Sequence, residues 1–364
     1  MMLSYARVRF CFNAFREPMQ AEAGDLAAVR SFHRSLPGYG ATPLRVCPNL
    51  AKAAGVQAVY VKDESARFGL NSFKALGASW AMSRLAARAS ELPRFATATD
   101  GNHGRAVAWM ARQMGATATV FVPARTVLRR VQNIRQEGAE VRVVNGTYDE
   151  AVRQCAAESQ KRGWQVVADT GYAGYLEVPQ WVMEGYQTLF DEFEEQRAER
   201  GLPPPDVVLA QAGVGGLLCA AVNHFRPRGE LPLLVSVEPE EADGLLESIT
   251  SPGGEPATSK GAQNSIMAGL NCGEVSLAAW PAIRRGVDWF IAIEDSYARE
   301  AVRLFRDSGI AAGESGAAGL AGLLALCGDS RFAVVKGRLG LSEDSCVMAI
   351  NTEGPLDAPK TARS

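Results

Sequence analysis

Several residue classes are scarce in this sequence, and each scarcity removes a class of protein. Histidine occurs three times in 364 residues, at His33, His103 and His224. That is too seldom for a His-rich metal cluster, and no metal is expected. The seven cysteines, at 11, 47, 155, 219, 272, 327 and 346, include no C-x-x-C pair. Neither a zinc ribbon nor a disulfide framework is indicated, and reduced thiols in a cytoplasmic compartment fit best. No charge sign dominates: 38 Lys and Arg stand against 40 Asp and Glu, a net charge of −2. A nucleic-acid binder would carry a basic surplus and a membrane-surface protein a polybasic tract, so neither partner is expected. No apolar run approaches the ~18 residues of a membrane span.

What is present is the composition of a folded globular protein, with 47% apolar and 21% charged residues. The length suggests about two domains. Acid is missing before Glu17, while Arg7, Arg9 and Arg16 are present. A transit peptide shares that bias but is Ser-rich and has a cleavage site. The alternation of Tyr5, Arg7 and Arg9 with Ala6, Val8 and Phe10 predicts instead a strand or arm packed on the body.

From residue 58 onward, short apolar β-type runs alternate with helical patterns. The strand-like runs are 58–62, 94–99, 117–122, 140–144, 165–168, 206–211, 233–238, 289–293 and 345–350. The helical patterns are 73–89, 104–114, 127–136, 149–161, 178–195 and 215–224. Such alternation implies parallel sheets covered by helices on both faces. Thr147 followed by Glu150 reads as a capping box. The Pro-rich 200–205 and the Gly/Pro/Ser-rich 251–261 read as connectors, the second as an exposed loop.

Five segments carry residue types suited to chemistry, and each has a plain structural alternative. Lys74 opens a helix after the polar loop 62–73, where the helix dipole disfavours a cation. It is either a surface lysine or an amine used covalently. Asp100-Gly101-Asn102-His103-Gly104 joins a strand to a helix, as a capped turn or as a ligand loop. Gln211-Ala212-Gly213-Val214-Gly215-Gly216-Leu217 does the same; its glycines permit either close packing or close approach of an anion to a helix N-terminus. The run 313–321 (GESGAAGLA) suits a tightly packed buried helix. Thr352, after the last strand, either caps a turn or meets a ligand.

In this order, from about residue 42 onward, the segments resemble the fold-type II pyridoxal-5′-phosphate enzymes. That family includes the serine/threonine dehydratases and the tryptophan synthase β subunit. Its marks are the S-F-K lysine, the G-N-H loop, the Gly-rich phosphate loop and a C-terminal Ser or Thr. Longer strings, 62–79 (KDESARFGLNSFKALGAS), 97–109 (TATDGNHGRAVAW), 266–274 (IMAGLNCGE) and 313–320 (GESGAAGL), are similar to those of the diaminopropionate ammonia-lyases within it.

The resemblance implies an α/β fold of two open parallel-sheet domains with pyridoxal 5′-phosphate in the cleft between them. Residues 1–86 and 179–364 would form the large domain and 87–178 the small one. Lys74 would be the Schiff-base lysine, with Phe73 beside it at the cofactor. Asn102 would contact the 3′-hydroxyl, residues Gly213, Val214, Gly215, Gly216 and Leu217 the phosphate, and Thr352 the pyridine nitrogen. Asp100 stands where the dehydratases carry Ser, and Asp169 matches a second functional aspartate of the ammonia-lyases. The implied reaction eliminates the β-amine of 2,3-diaminopropionate, giving pyruvate and two ammonia. Lys74 would act as base toward the L isomer and Asp100 toward the D isomer, with Asp169 or Lys74 protonating the leaving amine. A homodimer acting on a small amino acid is implied as well. One departure bears on the substrate: after Asp169 the resemblance calls for Trp and Glu, and this chain has Tyr172 and Ala173. A dehydratase of hydroxy amino acids and a β-replacement synthase remain alternatives, as does a cofactor-holding protein without turnover.

Overall fold

The computed structural model describes residues 9–19, 26–99, 101–229 and 232–356. Among these, eleven strands form two sheets. In chain order they are β1 (Phe10–Phe12), β2 (Leu44–Val46), β3 (Ala58–Asp63), β4 (Phe95–Ala98), β5 (Ala118–Pro123), β6 (Glu140–Val144), β7 (Gln165–Val166), β8 (Val207–Gln211), β9 (Leu233–Pro239), β10 (Trp289–Ile293) and β11 (Cys346–Asn351). The larger sheet runs β1-β10-β9-β8-β11-β3-β2. Its interior pairs are parallel, and the three-residue edge strands β1 and β2 are antiparallel. The smaller sheet, β6-β5-β4-β7, is parallel throughout.

β8 and β11 are buried at every residue, as expected of parallel strands covered on both faces. One face of the large sheet packs on the helices Pro48–Ala54 and Ala318–Gly328. The other shares a core with the small sheet through the helices Lys74–Arg88, Asn102–Met114, Glu177–Glu199 and Gly216–Phe225. The 313–321 run behaves as its small residues suggest: the Ala318–Gly328 helix is buried along most of its length.

The strand-like runs from residue 58 onward all form strands, with ends shifted by one or two residues. The run at 165–168 is cut to Gln165–Val166. There the Tyr175 hydroxyl donates to Val166 O (2.8 Å) and accepts from Ala168 N–H (3.2 Å), turning the chain out of the sheet ahead of Asp169. Thr147 and Glu150 form the expected capping box. The expected N-terminal strand falls mostly on residues outside the described ones; the strand found, β1, begins at Phe10. The 251–261 segment is not simply an exposed loop. Gly254 and Ser259 are buried, the latter hydrogen-bonded to Asp243 (2.5 Å). β2 and the helix Leu26–Ser35 were not legible, being short or set in a polar-looking context.

Two devices fix the Lys74–Arg88 helix. It crosses the Glu177–Glu199 helix through paired glycines: a Cβ on Gly77 would stand 2.6 Å from Val182 Cγ1, and one on Gly185 2.5 Å from Leu76 O. At the base of the loop leading to Lys74 lies a buried ionic network. Glu192 Oε2 takes hydrogen bonds from Lys62 Nζ and Arg67 Nη2, both at 2.7 Å, and Arg67 also grips Glu64 (2.8 Å). All four side chains are at most 2% exposed. Burial opposes the Glu192 charge, but Arg67 and then Lys62 outweigh it and hold the carboxyl at about 2, below its ordinary 4.5.

A carboxyl held low contributes stability that is present above its unfolded value and is lost as pH falls through the folded one. Glu192→Gln is therefore expected to cost about 3–5 kcal/mol near neutral pH, leaving Lys62 and Arg67 short of an anion. The gap to wild type should close as pH falls from about 4.5 towards 2. Denaturant unfolding of both proteins across that window checks the sign.

Candidate active site

Lys74, the loop into Asn102, Asp169, the glycine loop and Thr352 follow the carboxyl ends of β3, β4, β7, β8 and β11, where open α/β sheets bind ligands, whereas the 313–321 run follows a helix. Lys74 is the first residue of its helix. The approach to it is tied to the end of β11: Phe73 N–H donates to Thr352 O (3.2 Å), and Ser72 bridges to Glu353. Lys74 Nζ donates to Asp169 Oδ2 at 2.7 Å. It lies 5.2 and 5.8 Å from the ring centroids of Phe73 and Tyr186, which pack on each other at 4.6 Å. The Lys74 and Asp169 side chains keep 24% and 18% exposure, so the pair is deeply set yet not sealed.

Burial alone would favour the neutral amine. The Asp169 carboxylate, with help from Tyr186, outweighs burial and holds Lys74 above its ordinary value. Burial likewise opposes the charge on Asp169, and Lys74 followed by His103 holds that carboxyl well below the usual range. His103 completes the row. Its Nε2 meets Val167 O at 2.8 Å, its Nδ1 lies 3.8 Å from Asp169 Oδ2, and burial keeps the ring neutral by lowering its pKa.

The glycine loop after β8 lies across the same Tyr186 ring. A Cβ on Gly216 would be 3.6 Å from Tyr186 Cε2 and 3.9 Å from Asp169 O. Gly215 caps the helix Gly216–Phe225 at φ 98°, with no side-chain hydrogen bond at the cap. A Cβ there would meet Ile283 Cδ1 at 2.5 Å, and one on Gly213 would meet Cys272 Sγ at 3.1 Å. Val214 O accepts from Ser276 N–H (2.9 Å), and Leu217 is buried. The loop thus bares main-chain N–H groups at a helix start, where an anion is favoured.

Thr352 is 5% exposed, and its Oγ1 accepts from Gln211 Nε2 at 3.0 Å. Its own hydroxyl hydrogen is thereby left to be donated. Asn102 Nδ2 donates to Glu353 Oε2. The helix begins at Asn102, with Gly101 at its cap. Asp100, the remaining expected site residue, lies outside the described residues.

These residues fit pyridoxal 5′-phosphate: an amine for its aldehyde, a glycine cradle on a helix start for its phosphate, and a fixed neutral hydroxyl for its ring nitrogen. The model of pyridoxal-phosphate dependent enzymes matches residues 35–335. The chain belongs to the pyridoxal-phosphate dependent enzyme family. Among its relatives, the diaminopropionate ammonia-lyase of Salmonella typhimurium is 38% identical, over 90% of this chain and 88% of that protein. The Escherichia coli (strain K12) diaminopropionate ammonia-lyase is also 38% identical, over 95% and 92%. A crystal structure of the Escherichia coli enzyme in complex with an aminoacrylate-PLP azomethine reaction intermediate superposes with a TM-score of 0.88. It is 36% identical and covers 96% of this chain and 94% of its own.

The site also contains residues that the sequence reading left without a role. Gln211 orients Thr352, Glu353 holds Asn102, and Tyr186 and Cys272 flank Lys74 and Gly213. Gln211 and Glu353 adjoin recognised motifs and could have been found there. Tyr186 sits within a helix as one more core aromatic and carries no sequence signal.

Gly215→Ala puts a side chain on a left-handed backbone and against Ile283. It is expected to weaken pyridoxal 5′-phosphate binding by ~10-fold or more, read by fluorescence titration of the cofactor-stripped enzyme. An unchanged Kd would remove this loop from the cofactor site.

Proposed function

We propose that this enzyme eliminates the β-amine of 2,3-diaminopropionate, yielding pyruvate and two molecules of ammonia. The observation that carries the reading is the carboxylate of Asp169 at 2.7 Å from the Lys74 amine. An acid–base group beside the covalent lysine suits a leaving group that must depart with an added proton. The names of the relatives support the same substrate.

Pyridoxal 5′-phosphate, when bound, supplies the electron sink that makes the Cα proton removable. The chain supplies the rest. Lys74 binds the aldehyde carbon and, once released, takes the Cα proton of the L isomer at Nζ. Asp100 takes the Cα proton of the D isomer. The departing nitrogen takes its proton from Lys74 or from Asp169, whose Oδ2 shares the Lys74 proton. The N–H groups of residues 213–217 hold the phosphate, Asn102 the 3′-oxygen, and Phe73 packs beneath Lys74. Thr352, its oxygen engaged by Gln211, donates to the ring nitrogen and leaves it largely unprotonated. That moderates the electron sink and favours β-elimination over transamination.

In this reading residues 1–86 and 179–364 act as the larger unit and 87–178 as the smaller, bringing Asn102 over the substrate. β4 to β7 falling within 87–178 supports that division. Seven scattered cysteines with no C-x-x-C pair support a reducing, cytoplasmic setting, and the homodimer usual in the family is part of the same proposal.

Incubation with D- and L-2,3-diaminopropionate, and with both serines, tests the reading. Two ammonia per pyruvate from the diamino acid are expected, with little turnover of serine. Serine turnover alone, at one ammonia per pyruvate, would make the protein a dehydratase. That outcome would fit Ala173, which is exposed in the turn bridged by Tyr172 and Tyr175. Asp100→Asn is expected to cost ~10²–10⁴-fold in kcat with the D isomer and far less with the L isomer. Full activity of that variant on both isomers would remove Asp100 from the chemistry.

A further inference from the structure

Covalent amine chemistry needs Lys74 Nζ unprotonated, yet Asp169 holds it as an ammonium, hydrogen-bonded to Oδ2 at 2.7 Å. The group in reach of that proton is the same carboxylate. On the other side of the carboxylate stands His103. Its Nε2 meets Val167 O at 2.8 Å. A carbonyl oxygen can only accept, so Nε2 carries the hydrogen and Nδ1 a lone pair. The residue is 4% exposed, and Nδ1 is sealed from solvent without a hydrogen-bond partner. It lies 3.8 Å from Asp169 Oδ2, too far for a hydrogen bond, with two lone-pair atoms facing each other. A buried acceptor left unpaired is uncommon in folded proteins and asks for a use.

We propose that His103 is a positioning residue for Lys74: its Nδ1 accepts the hydrogen of Asp169 in the acid form, so that the Lys74 proton can rest on Asp169 while Nζ reacts as a neutral amine. In this step one Nζ–H bond breaks and one Oδ2–H bond forms. The ammonium–carboxylate pair becomes an amine–carboxylic acid pair, with no change in net charge and no outside acid or base. The new hydroxyl hydrogen is directed at Nδ1, and the 3.8 Å approach closes to hydrogen-bond length.

The other ionisable groups around the pair do not compete for this proton. Tyr186, on the Glu177–Glu199 helix, and Tyr175, on the turn after Asp169, are both kept protonated by burial. Cys272, in the loop facing Gly213, favours the charged form of Lys74. The inference rests on Lys74 being the residue that captures the cofactor, as the functional reading has it. It does not depend on which amino acid is transformed.

The rate at which cofactor-stripped enzyme captures pyridoxal 5′-phosphate, followed by stopped-flow absorbance against pH, tests the idea without any amino-acid substrate. His103→Gln keeps an amide N–H for Val167 O and removes the acceptor facing Asp169. The amine–acid pair forms independently of pH, whereas removal of the Lys74 proton by hydroxide rises with pH. The ratio of wild-type to His103→Gln rates is therefore expected to be ~10 near neutrality and to fall toward unity about two pH units higher. The cofactor's own ionisations cancel in that ratio. His103→Asn, which offers an amide oxygen near the Nδ1 position, should recover part of the rate.

In an Asp169→Asn background no carboxyl is left to hold the proton, and His103→Gln should change the rate by less than about twofold. A ratio that does not vary with pH, a wild-type rate in His103→Gln, or an equal loss in the Asp169→Asn background would each overturn the proposal. The product assay is separate: normal cofactor capture with no ammonia from diaminopropionate would sink the functional reading and leave this one standing.

Discussion

Lys74 begins a helix, where unpaired N–H groups make a poor neighbour for an ammonium. Burial makes it poorer still. The charge persists because Asp169 stands 2.7 Å away, and Asp169 belongs to the other sheet, three residues past β7. One ion pair thus ties the two sheets together at the point where chemistry is done. Much of the local architecture serves to place its two ends. Tyr175 turns the chain after β7 so that Asp169 leaves the sheet. The end of β11 anchors Phe73 just before the lysine.

Apolar burial supplies most of the drive to fold, but it is not directional. Direction for the Lys74 helix comes from contacts with one geometry. The Gly77–Gly185 crossing admits no side chain at either position. His33, buried and neutral, spans Leu76 O at 2.9 Å and Thr188 Oγ1 at 2.7 Å. The Lys62–Glu192–Arg67–Glu64 network sets the loop from β3 to Lys74. An apolar cluster of equal volume can match such a network in stability; what the charges add here is a fixed approach to the lysine.

The parallel sheets were legible because their strands are buried on both faces and so appear as short apolar runs between helical periods. The glycine loop, the lysine and Thr352 each follow such a run, but each alone also suits packing or capping, and only their order, through resemblance, marks them as site candidates. Other parts were hidden for physical reasons. The three residues of β2 pair on one side only, and so short an edge leaves no periodicity to read. The ionic network is invisible in sequence because Lys62, Glu64 and Arg67 look like a solvated loop until Glu192, over a hundred residues on, is folded onto them. The pairing of Lys74 with Asp169 is equally non-local, and was reachable only through resemblance. His103 was in view within a recognised motif, but its significance lies in an unpaired nitrogen, which composition cannot show.

The two sheets divide the work. The larger one carries the lysine, the anion cradle and Thr352, the groups suited to hold a cofactor. The smaller one carries His103 and Asp169, groups suited to proton movement beside it, and Asn102, whose amide suits the cofactor's 3′-oxygen. Polar ties run between them near the site, among them Lys74 to Asp169, Asn102 to Glu353, Gly171 N–H to Ser276 Oγ and Arg105 to Leu70 O. Each of the first two joins an ionisable group to a partner on the opposite sheet. Lys74, on the larger sheet, is what holds the Asp169 carboxyl low, whereas burial acts first on Glu353 and raises its pKa. Placing the proton of the Lys74–Asp169 pair therefore depends on both sheets at once.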